Sequence, residues 1–432
     1  MNDSRIIQNL DTLATTPLRR DALQIIEAGL AAIRTQTVLE STVRLDDNTL
    51  FVRDAQYDLA SYKRIFFIGI GKCAADAGVF FEKLLGDRIT EGIILDVRGV
   101  PVKRLRCIVG SHPLPSQCNV EASEDVATLL ESADKDDLVL TVISGGGSAL
   151  LCLPNDMACE DLARVTACLM DHGAPIEELN IVRKHMSLIQ GGQFAKLAYP
   201  AHVLALLFSD VPGDDIATIA SGPTVMDDST QADAEAILTR YDVRSRCDLP
   251  ECHPLETPKG AKYFERVENV LLMTNTTALE AMRKAALHLG YDAIIAETTL
   301  QGEARDVGER LIAEGKTPHT VRLYGGETTV TACDGVCRGM GGRNQEVALA
   351  ALVGIPPGML LAAIASDGWD NTDAAGGFVD SALRDRARAQ QTSPEEALQR
   401  NASYDFFKQV GGHIMTGKTG SNVADILMTI TR

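Results

Sequence analysis

The sequence predicts an α/β protein of two domains. The first is a Rossmann-like domain with a doubly wound, mostly parallel sheet and flanking helices, and the second is a smaller C-terminal α/β domain. Three observations lead there. The chain has 432 residues, which is longer than a domain with a single hydrophobic core usually is. Its composition, 45% hydrophobic and 23% charged, is that of a globular protein. Short apolar runs also alternate with segments of helical period, which is typical of parallel strands covered by helices.

The elements of the first half follow this alternation. Residues 1–60 are predicted to be helical, because apolar residues recur there at helical spacing. Strands are then predicted in "RIFFIGIG", "EGIILDVRG", "RCIVGSHPLP", "DLVLTVISGGGSALL" and "AHVLALLFSDVPGDD". Helices are predicted between them, in "KCAADAGVFFEKLLG", "NVEASEDVATLLESA" and "EDLARVTACLMDHG".

The stretch "SRCDLPECHPLETPKG", residues 245–260, is rich in proline and polar residues and is predicted to be a linker. Beyond it the alternation restarts with "NVLLMTNTTALEAMRKAALHLG", "YDAIIAET", "TVRLYGGETTVTA", "NQEVALAALVG" and "MLLAAIASDG". We therefore expect domains at residues 1–245 and 246–432, with the last strand free to return to the N-terminal domain.

Charge narrows the range of partners. The chain has 41 basic and 59 acidic side chains, a formal net charge of −18, so binding to nucleic acid or to an anionic membrane is not expected. No apolar run reaches membrane-spanning length, and the opening residues lack a signal-peptide core. We expect a cytoplasmic protein whose ten cysteines are free thiols.

The turn in "IFFIGIGKCAADAG" supports two interpretations. Gly69, Gly71 and Ala74 fit the relaxed dinucleotide-binding pattern, with Asp96 at the end of the next strand as the ribose ligand. Lys72, at the start of the following helix, suits a phosphoryl group at least as well as a nicotinamide cofactor. An ordinary turn with a surface lysine is the third possibility.

The stretch "ISGGGSALL" places three glycines and Ser148 directly after a buried strand. A structural turn needs one or two glycines, whereas three allow backbone amides to approach an anion closely. We therefore favour phosphate binding by Gly145, Gly146, Gly147 and Ser148.

Other loops carry local charge. "NIVRKHMSLIQGG" contains Arg183, Lys184 and His185, of which at most two can face one site on a helix; a solvated basic turn is the alternative. Arg343 opens a predicted helix within "GMGGRNQE". Acidic loops suited to magnesium, or to simple helix capping, contain Asp210, Asp214, Asp215, Glu327, Asp367, Asp370 and Asp373.

The segment from Gly412 to Thr419 matches the P-loop pattern G-x-x-x-x-G-K-[ST]. A functional P-loop requires a strand before it and a helix after it. Here a predicted helix precedes it and a predicted strand follows, so the match is expected to be accidental.

Taken together, the motifs resemble the class II glycerate 2-kinases, the family with the MOFRL-type C-terminal domain. The resemblance extends from about residue 65 to residue 427. Its pieces are "GIGKCAADAG", "GSHPLP", "LVLTVISGGGSALL", "NIVRKHMSLIQGG", "LFSDVPGDDIATIASGPTV", "YGGETTVT", "GGRNQEVALAA", "SDGWDNTDAAGG" and "GSNVADI".

This resemblance implies transfer of the ATP γ-phosphoryl group to the C2 hydroxyl of D-glycerate, with Mg²⁺ or another divalent cation. It implies Lys72 and Arg343 as the catalytic residues and the interdomain cleft as the active site. Within it we assign phosphate binding to Gly71, Gly145, Gly146, Gly147, Ser148, Gly341 and Gly342. Substrate binding is assigned to Arg183, Lys184 and His112, and metal binding to Asp210, Glu327 and Asp367.

Two departures from the family pattern lie in the C-terminal half. Lys418 stands where proline is usual, which creates the P-loop match. In "SDGWDNTDAAGG" a single Asn371 replaces the usual Gly-Pro pair, and Trp369, the sole tryptophan of the chain, lies just upstream. A related hydroxy acid is therefore an alternative substrate.

Two rival functions remain at this point. One is an NAD(P)H-dependent hydroxypyruvate reductase, supported by the Gly69, Gly71, Ala74 and Asp96 pattern. The other is a non-catalytic sensor of sugar acids or nucleotides. The sequence leaves the oligomeric state open, a homodimer included.

Overall fold

The computed structural model describes residues 5–247, 253–332 and 339–432. Its strands are β1 Val43–Asp46, β2 Thr49–Val52, β3 Ala55–Asp58, β4 Ile65–Ile70, β5 Glu91–Asp96, β6 Arg106–Val109, β7 Leu138–Ile143, β8 His202–Phe208, β9 Val267–Met273, β10 Asp292–Leu300, β11 Thr320–Gly326, β12 Met359–Ala365, β13 Gly376–Asp380, β14 His413–Ile414 and β15 Asp425–Thr431.

The α-helices are α1 Leu10–Leu13, α2 Pro17–Ala32, α3 Thr35–Thr42, α4 Ala74–Leu85, α5 Gln117–Glu131, α6 Gly147–Leu150, α7 Cys159–Asp171, α8 Ile176–His185, α9 Gln193–Ala198, α10 Gln231–Arg240, α11 Val243–Arg246, α12 Asn275–His288, α13 Ala304–Glu314, α14 Arg343–Gly354, α15 Ser381–Ala389, α16 Pro394–Gln399 and α17 Ser403–Val410. None of these described helices is long and apolar enough to cross a membrane.

The chain folds into two compact units. We call residues 38–209 and 214–272 the parallel-sheet unit, and residues 1–37, 210–213 and 273–432 the mixed-sheet unit. The division differs from the expected single boundary at residue 245. The N-terminal helix α2 packs on α12 of the mixed-sheet unit, so the first 37 residues belong with the C-terminal half.

The parallel-sheet unit has the predicted doubly wound architecture. Its six strands lie in the order β6-β5-β4-β7-β8-β9, and β4 pairs in parallel with both β5 and β7. Strand order therefore reverses between β4 and β7. Ligands of open α/β sheets bind beyond the carboxyl ends of the strands at such a reversal. The loops that follow β4 and β7 are the two glycine loops that the sequence analysis singled out.

The mixed-sheet unit is built on a second six-stranded sheet, in the order β10-β11-β15-β12-β13-β14. Strands β10 and β11 are parallel, whereas β15 runs antiparallel to both β11 and β12. The prediction that the last strand could return to the N-terminal domain is therefore wrong. Side chains on both faces of β15 are fully buried, such as Leu427 on one face and Met428 on the other, as expected of a central strand.

Three local predictions are also corrected. Residues 43–58 form the antiparallel sheet β1-β2-β3 and are not helical. Strand β9, assigned to the second domain from sequence, closes the edge of the first sheet. The described part of the expected linker packs on α8, where the Leu255 amide donates to the His185 carbonyl at 2.7 Å. Residues 248–252 of that linker lie outside the described residues.

The cysteines also differ from the expectation. Cys168 of α7 and Cys247 are joined in a disulfide. Five others, Cys73, Cys107, Cys118, Cys152 and Cys159, are free thiols as expected.

The P-loop match is accidental, as predicted. Helix α17 precedes it, β14 lies within it and β15 follows, so this described segment lacks the strand before it and the helix after it that a P-loop requires.

Candidate active site

The glycine loops after β4 and β7 are in direct contact at the strand-order reversal. The amide of Lys72 donates to the carbonyl of Gly145 at 3.0 Å. Gly71 has φ +108°, and a Cβ there would lie 2.3 Å from Ser144 Oγ, so only glycine fits. Gly71 thus serves the close packing of the two loops. The side chain of Lys72 continues past Gly146, whose Cβ position lies 3.3 Å from Lys72 Cγ.

The backbone amides after β4 are occupied by protein acceptors. The Gly71 amide donates to Leu95 O at 3.1 Å and that of Cys73 to Ser144 Oγ at 3.1 Å. The amide of Ala75 donates to Asp96 Oδ2 at 2.8 Å. Asp96 is fully buried, and burial raises the pKa of its carboxyl. This loop is closed to a pyrophosphate, and Asp96 caps α4, so it is not available to a ribose.

The loop after β7 has the opposite character. In the described part of the chain, the amides of Gly145, Gly146 and Ser148 donate to no protein acceptor, whereas the Gly147 amide donates to Ser144 O at 3.1 Å. Gly146 adopts φ +83° and is the N-cap of α6. Unpaired amides are rare in protein interiors, and successive N–H groups in such a turn form an anion-binding concavity. The sequence-predicted phosphate loop thus has open donors.

A strained turn supports this loop. Ala220 and Ser221 adopt φ +50° and φ +60°, and Gly222 adopts φ +58°. A left-handed conformation costs a non-glycine residue about 1–3 kcal/mol and is typical of functional sites. Ser221 Oγ lies 3.0 Å from Ser148 Oγ, so the turn positions that hydroxyl.

Gln190 joins the strained turn to the glycine loop. Its Nε2 donates to Ser148 O at 2.9 Å and to Leu151 O at 2.7 Å. The next residue, Gly191, donates its amide to Ser221 O at 2.9 Å. The sequence analysis did not identify Gln190 or Ser221 as site residues. Their signal was present in "LIQGG" and "IASGPT", since the glycines there permit the left-handed turns.

A pocket of about 350 Å³ opens beside the glycine loop. Gly146, Ser148 and the exposed His112 form one side of it, and apolar residues of α7 form another. The half-buried Arg183 of α8 also lines the pocket. Two of the three substrate-binding residues assigned from the sequence, His112 and Arg183, therefore lie in the same pocket as Ser148.

Arg183 has an unusual environment. Its nearest acceptor is Asn180 Oδ1 at 3.4 Å, and within the described ranges no carboxylate forms an ion pair with it. Burial lowers the pKa of its guanidinium. A guanidinium removed from water without a counter-charge is costly, so the site is suited to an anion that the protein itself does not provide.

Lys184 was also assigned to the substrate, and the structure contradicts this. Its Nζ lies 3.1 Å from Asp227 Oδ1, and both side chains are buried. Asp227 also accepts from Ser229 Oγ at 2.7 Å and lies 3.4 Å from His185 Nε2. These partners hold the pKa of Asp227 below its usual range despite burial. Consecutive helical residues point in different directions, so Lys184 faces the core where Arg183 faces the pocket.

In the mixed-sheet unit, Arg343 is the first residue of α14, as predicted. Asp425 accepts from its Nε at 2.6 Å and from its Nη2 at 3.1 Å, and Glu327 accepts from its Nη1. Burial opposes ionisation of this guanidinium, yet Asp425 and Glu327 raise the pKa of Arg343 above its ordinary value. Burial also raises the pKa of Asp425 to about 7, although Arg343 opposes the shift. Asp425 was not identified from sequence.

The glycines before Arg343 do not form an open phosphate loop. The Asp370 carboxylate accepts the α14 amides of Asn344 and Gln345 at 3.1 and 2.9 Å. A Cβ at Gly342 would lie 2.1 Å from Asp370 O, and one at Gly341 the same distance from Ser403 Oγ. Both glycines therefore permit close packing, and the helix N-terminus is already capped.

The three expected metal ligands do not form a preassembled site. No group of three or more His, Cys, Asp or Glu residues suited to a metal occurs in the described chain. Glu327 is paired with Arg343. Asp210 Oδ2 accepts from Asn422 at 2.9 Å, and Asp367 Oδ1 accepts from the Trp369 amide at 3.0 Å. One or two carboxylates nevertheless suffice for Mg²⁺ that arrives with nucleotide phosphates.

Comparison with known proteins adds family evidence to this geometry. Residues 21–251 match the family described as "Domain of unknown function (DUF4147)", and residues 320–425 match the MOFRL family. A glycerate 2-kinase of Pyrococcus horikoshii is 34% identical over 96% of this chain and 97% of its own length. A putative hydroxypyruvate reductase of Agrobacterium vitis is 38% identical over 84% of this chain and 86% of its own.

The fold has a solved counterpart. The crystal structure of a glycerate kinase from Thermotoga maritima superposes with a TM-score of 0.82 at 31% sequence identity, covering 96% of this chain and 99% of that one.

Proposed function

The chain belongs to the class II glycerate kinase family, and on that basis we propose that it transfers the γ-phosphoryl group of ATP to the C2 hydroxyl of D-glycerate. The C2 oxygen bonds to the γ-phosphorus, and the bond between that phosphorus and the bridging oxygen to ADP breaks. The hydroxyl proton is released to water, and the products are 2-phosphoglycerate, ADP and that proton.

The observation that carries this proposal is the open loop after β7. The amides of Gly145, Gly146 and Ser148 donate to no acceptor among the described residues and are open to phosphate oxygens, and the Lys72 side chain passes beside Gly146. Phosphoryl transfer depends mainly on positioning and on neutralising charge. Preorganised amides and a lysine provide both without reorganisation during the reaction.

The pocket beside this loop accounts for the acceptor substrate. We assign the glycerate carboxylate to Arg183, whose guanidinium has five donors and no carboxylate counterpart among the described residues. His112 and Ser148 line the same pocket and would contact the hydroxyl groups. Lys184 is withdrawn from this role because Asp227 holds it in the core.

In the mixed-sheet unit, Arg343 is proposed as the second cation, after Lys72, that neutralises the negative charge of the transferring phosphoryl group, as the family resemblance implies. Its bidentate contact with Asp425 fixes the plane of the guanidinium. A divalent cation would supply further charge neutralisation on the ATP phosphates. Glu327, Asp210 and Asp367 are the carboxylates we propose for it, and one or two of them would suffice for Mg²⁺ that arrives with the nucleotide.

The reductase is the second candidate, since a relative carries that name. The occupied amides after β4 and the buried capping role of Asp96 argue against it, because a dinucleotide needs both groups. If the protein does not phosphorylate D-glycerate, we favour a kinase for a related hydroxy acid. The pocket of about 350 Å³ has the volume of sites that bind ligands larger than glycerate.

The test uses purified protein with Mg-ATP and D-glycerate, with ADP release followed and the phosphate position identified by ³¹P NMR. A parallel reaction contains NADH and hydroxypyruvate. Phosphate on C2 without NADH oxidation is the expected result. NADH oxidation without ADP release would replace the proposal with the reductase.

A further inference from the structure

Trp369 is the sole tryptophan of the chain, and 52% of its surface is exposed. Tryptophan is usually among the most buried side chains in folded proteins. The backbone around it is fixed: the amide of Gly368 donates to Ala365 O, that of Trp369 to Asp367 Oδ1 and that of Asp370 to Ala374 O, each at 3.0 Å. A held backbone thus presents a large aromatic face to solvent.

The indole lies on the loop that caps the helix of Arg343. Asp370, the next residue, accepts the amides of Asn344 and Gln345, which directly follow Arg343 in α14. Trp369 is therefore one residue from the group that holds this helix terminus. Arg343, which we assign to the transferring phosphoryl group, and the exposed indole are thus both joined to the Asp370 loop.

A second loop, residues 417–419, holds the cation Lys418 next to the Trp369 loop. Gly368 packs so closely on Gly417 that a Cβ would lie 1.9 Å from the Gly417 carbonyl. The amide of Thr419 donates to Asp367 O at 3.1 Å. Lys418, exposed between these contacts, is thus held beside the tryptophan loop. Both departures from the family pattern, Lys418 and the Asn371 that follows Trp369 by two residues, occur on this one pair of loops.

We infer that Trp369 is a stacking platform for the purine base of the nucleotide substrate. An aromatic ring beside cations matches a nucleotide, whose base has a π face and whose phosphates are anionic. Glycerate has no such face and only a small apolar surface. The inference rests on the proposed use of ATP and adds the residue that binds its base.

The sole tryptophan makes the test direct, because all indole fluorescence comes from position 369. The full-length protein is titrated with ADP, with inorganic tripolyphosphate, which has charge but no base, and with D-glycerate. We expect ADP to quench the emission and the other two to leave it within a few per cent of its starting value. Unchanged emission at saturating ADP, with binding verified by calorimetry, would overturn the inference, as would an equal response to tripolyphosphate.

Variants provide the second arm. Trp369→Ala is expected to raise the Kd of ADP roughly 5- to 150-fold, the range for loss of one base–aromatic stack, and to leave the Kd of tripolyphosphate unchanged. Trp369→Phe, which keeps an aromatic face, should restore most of the affinity. Weakened D-glycerate binding with intact ADP affinity would contradict the inference and indicate a role in acceptor recognition.

The two proposals fail separately. If ADP quenches the emission but no phosphate is transferred to D-glycerate, the inference stands and the proposed acceptor is wrong. If D-glycerate is phosphorylated while Trp369→Ala leaves the ADP affinity unchanged, the base is bound elsewhere and the proposed function stands.

Discussion

Replacing Arg183 with alanine tests whether the pocket beside the glycine loop binds the substrate carboxylate. Among the described residues the Arg183 guanidinium has one weak acceptor, Asn180 Oδ1 at 3.4 Å, so the replacement breaks little that holds the fold. A hydrogen bond to a charged group contributes about 1.5–3 kcal/mol. Its loss therefore predicts a rise in the KM for D-glycerate of roughly 10- to 150-fold.

The neighbouring residue is a matched control. Lys184→Met removes the same formal charge one position along the helix, but from the buried pair with Asp227. Breaking a buried ion pair costs about 3–5 kcal/mol because the remaining charge stays in the interior. We expect Lys184→Met to lower the Tm and to leave the KM for D-glycerate unchanged.

Arg183→Ala should do the reverse, with no loss of Tm, since burial already disfavours its charge. The assay is steady-state kinetics at saturating Mg-ATP, together with a thermal melt of each variant. A KM for D-glycerate that is unchanged in Arg183→Ala, or raised instead in Lys184→Met, would refute the assignment of the pocket.

Three further predictions follow from the structure. Lys72→Met should lower kcat about 100- to 1000-fold in a protein that still folds, and near-normal turnover would remove Lys72 from the site. Burial raises the pKa of Asp425 to about 7, and its ionised form holds Arg343 in place. Asp425→Asn should therefore lower kcat and abolish any rise of kcat between pH 6 and 8. A pH profile of kcat that is retained in this variant would show that Asp425 is not the titrating group. Burial lowers the pKa of His413 to about 4 in the folded protein. As the pH drops from about 6.5 to about 4, His413 is therefore protonated in the unfolded chain before it is protonated in the folded one, and the stability of the fold should decrease. His413→Phe should lose less Tm than the unsubstituted protein over that interval, and parallel losses would show that His413 is not responsible.

The sequence was sufficient to predict the sheet and the two loops at its centre. Glycines directly after buried strands marked the carboxyl ends of β4 and β7, and the alternation of elements implied the doubly wound order that places those ends together. The helix start at Arg343 was also readable, because "GMGGRNQE" has glycines before a strong helical run. Local pattern and chain direction determine features of this kind.

What the sequence could not provide was the partner of each polar group. The two glycine loops have similar sequences. The amides after β4 nevertheless donate to protein acceptors, whereas three of those after β7 have no acceptor among the described residues. Arg183 and Lys184 are adjacent in sequence, and only the packing of α8 decides which one faces the core. The partners of Lys184 and Arg343, Asp227 and Asp425, lie 43 and 82 residues away, so no local pattern indicates them.

Domain composition was also beyond a local pattern. Strand β9 follows the presumed linker but pairs into the first sheet, and the first 37 residues join the C-terminal unit. Each assignment depends on which apolar surface remains to be covered, and that surface exists only once the rest of the unit has folded.

The central claim is that the open amides after β7 and Arg183 serve phosphoryl transfer to a hydroxy acid. The most direct measurement is a ³¹P NMR time course of the protein with Mg-ATP and D-glycerate, run beside Arg183→Ala. The account predicts a phosphomonoester on C2 together with ADP, formed far more slowly by the variant at low D-glycerate and nearly as fast at saturating D-glycerate. ATP that stays intact with D-glycerate and with related hydroxy acids, while NADH is oxidised by hydroxypyruvate, would contradict it.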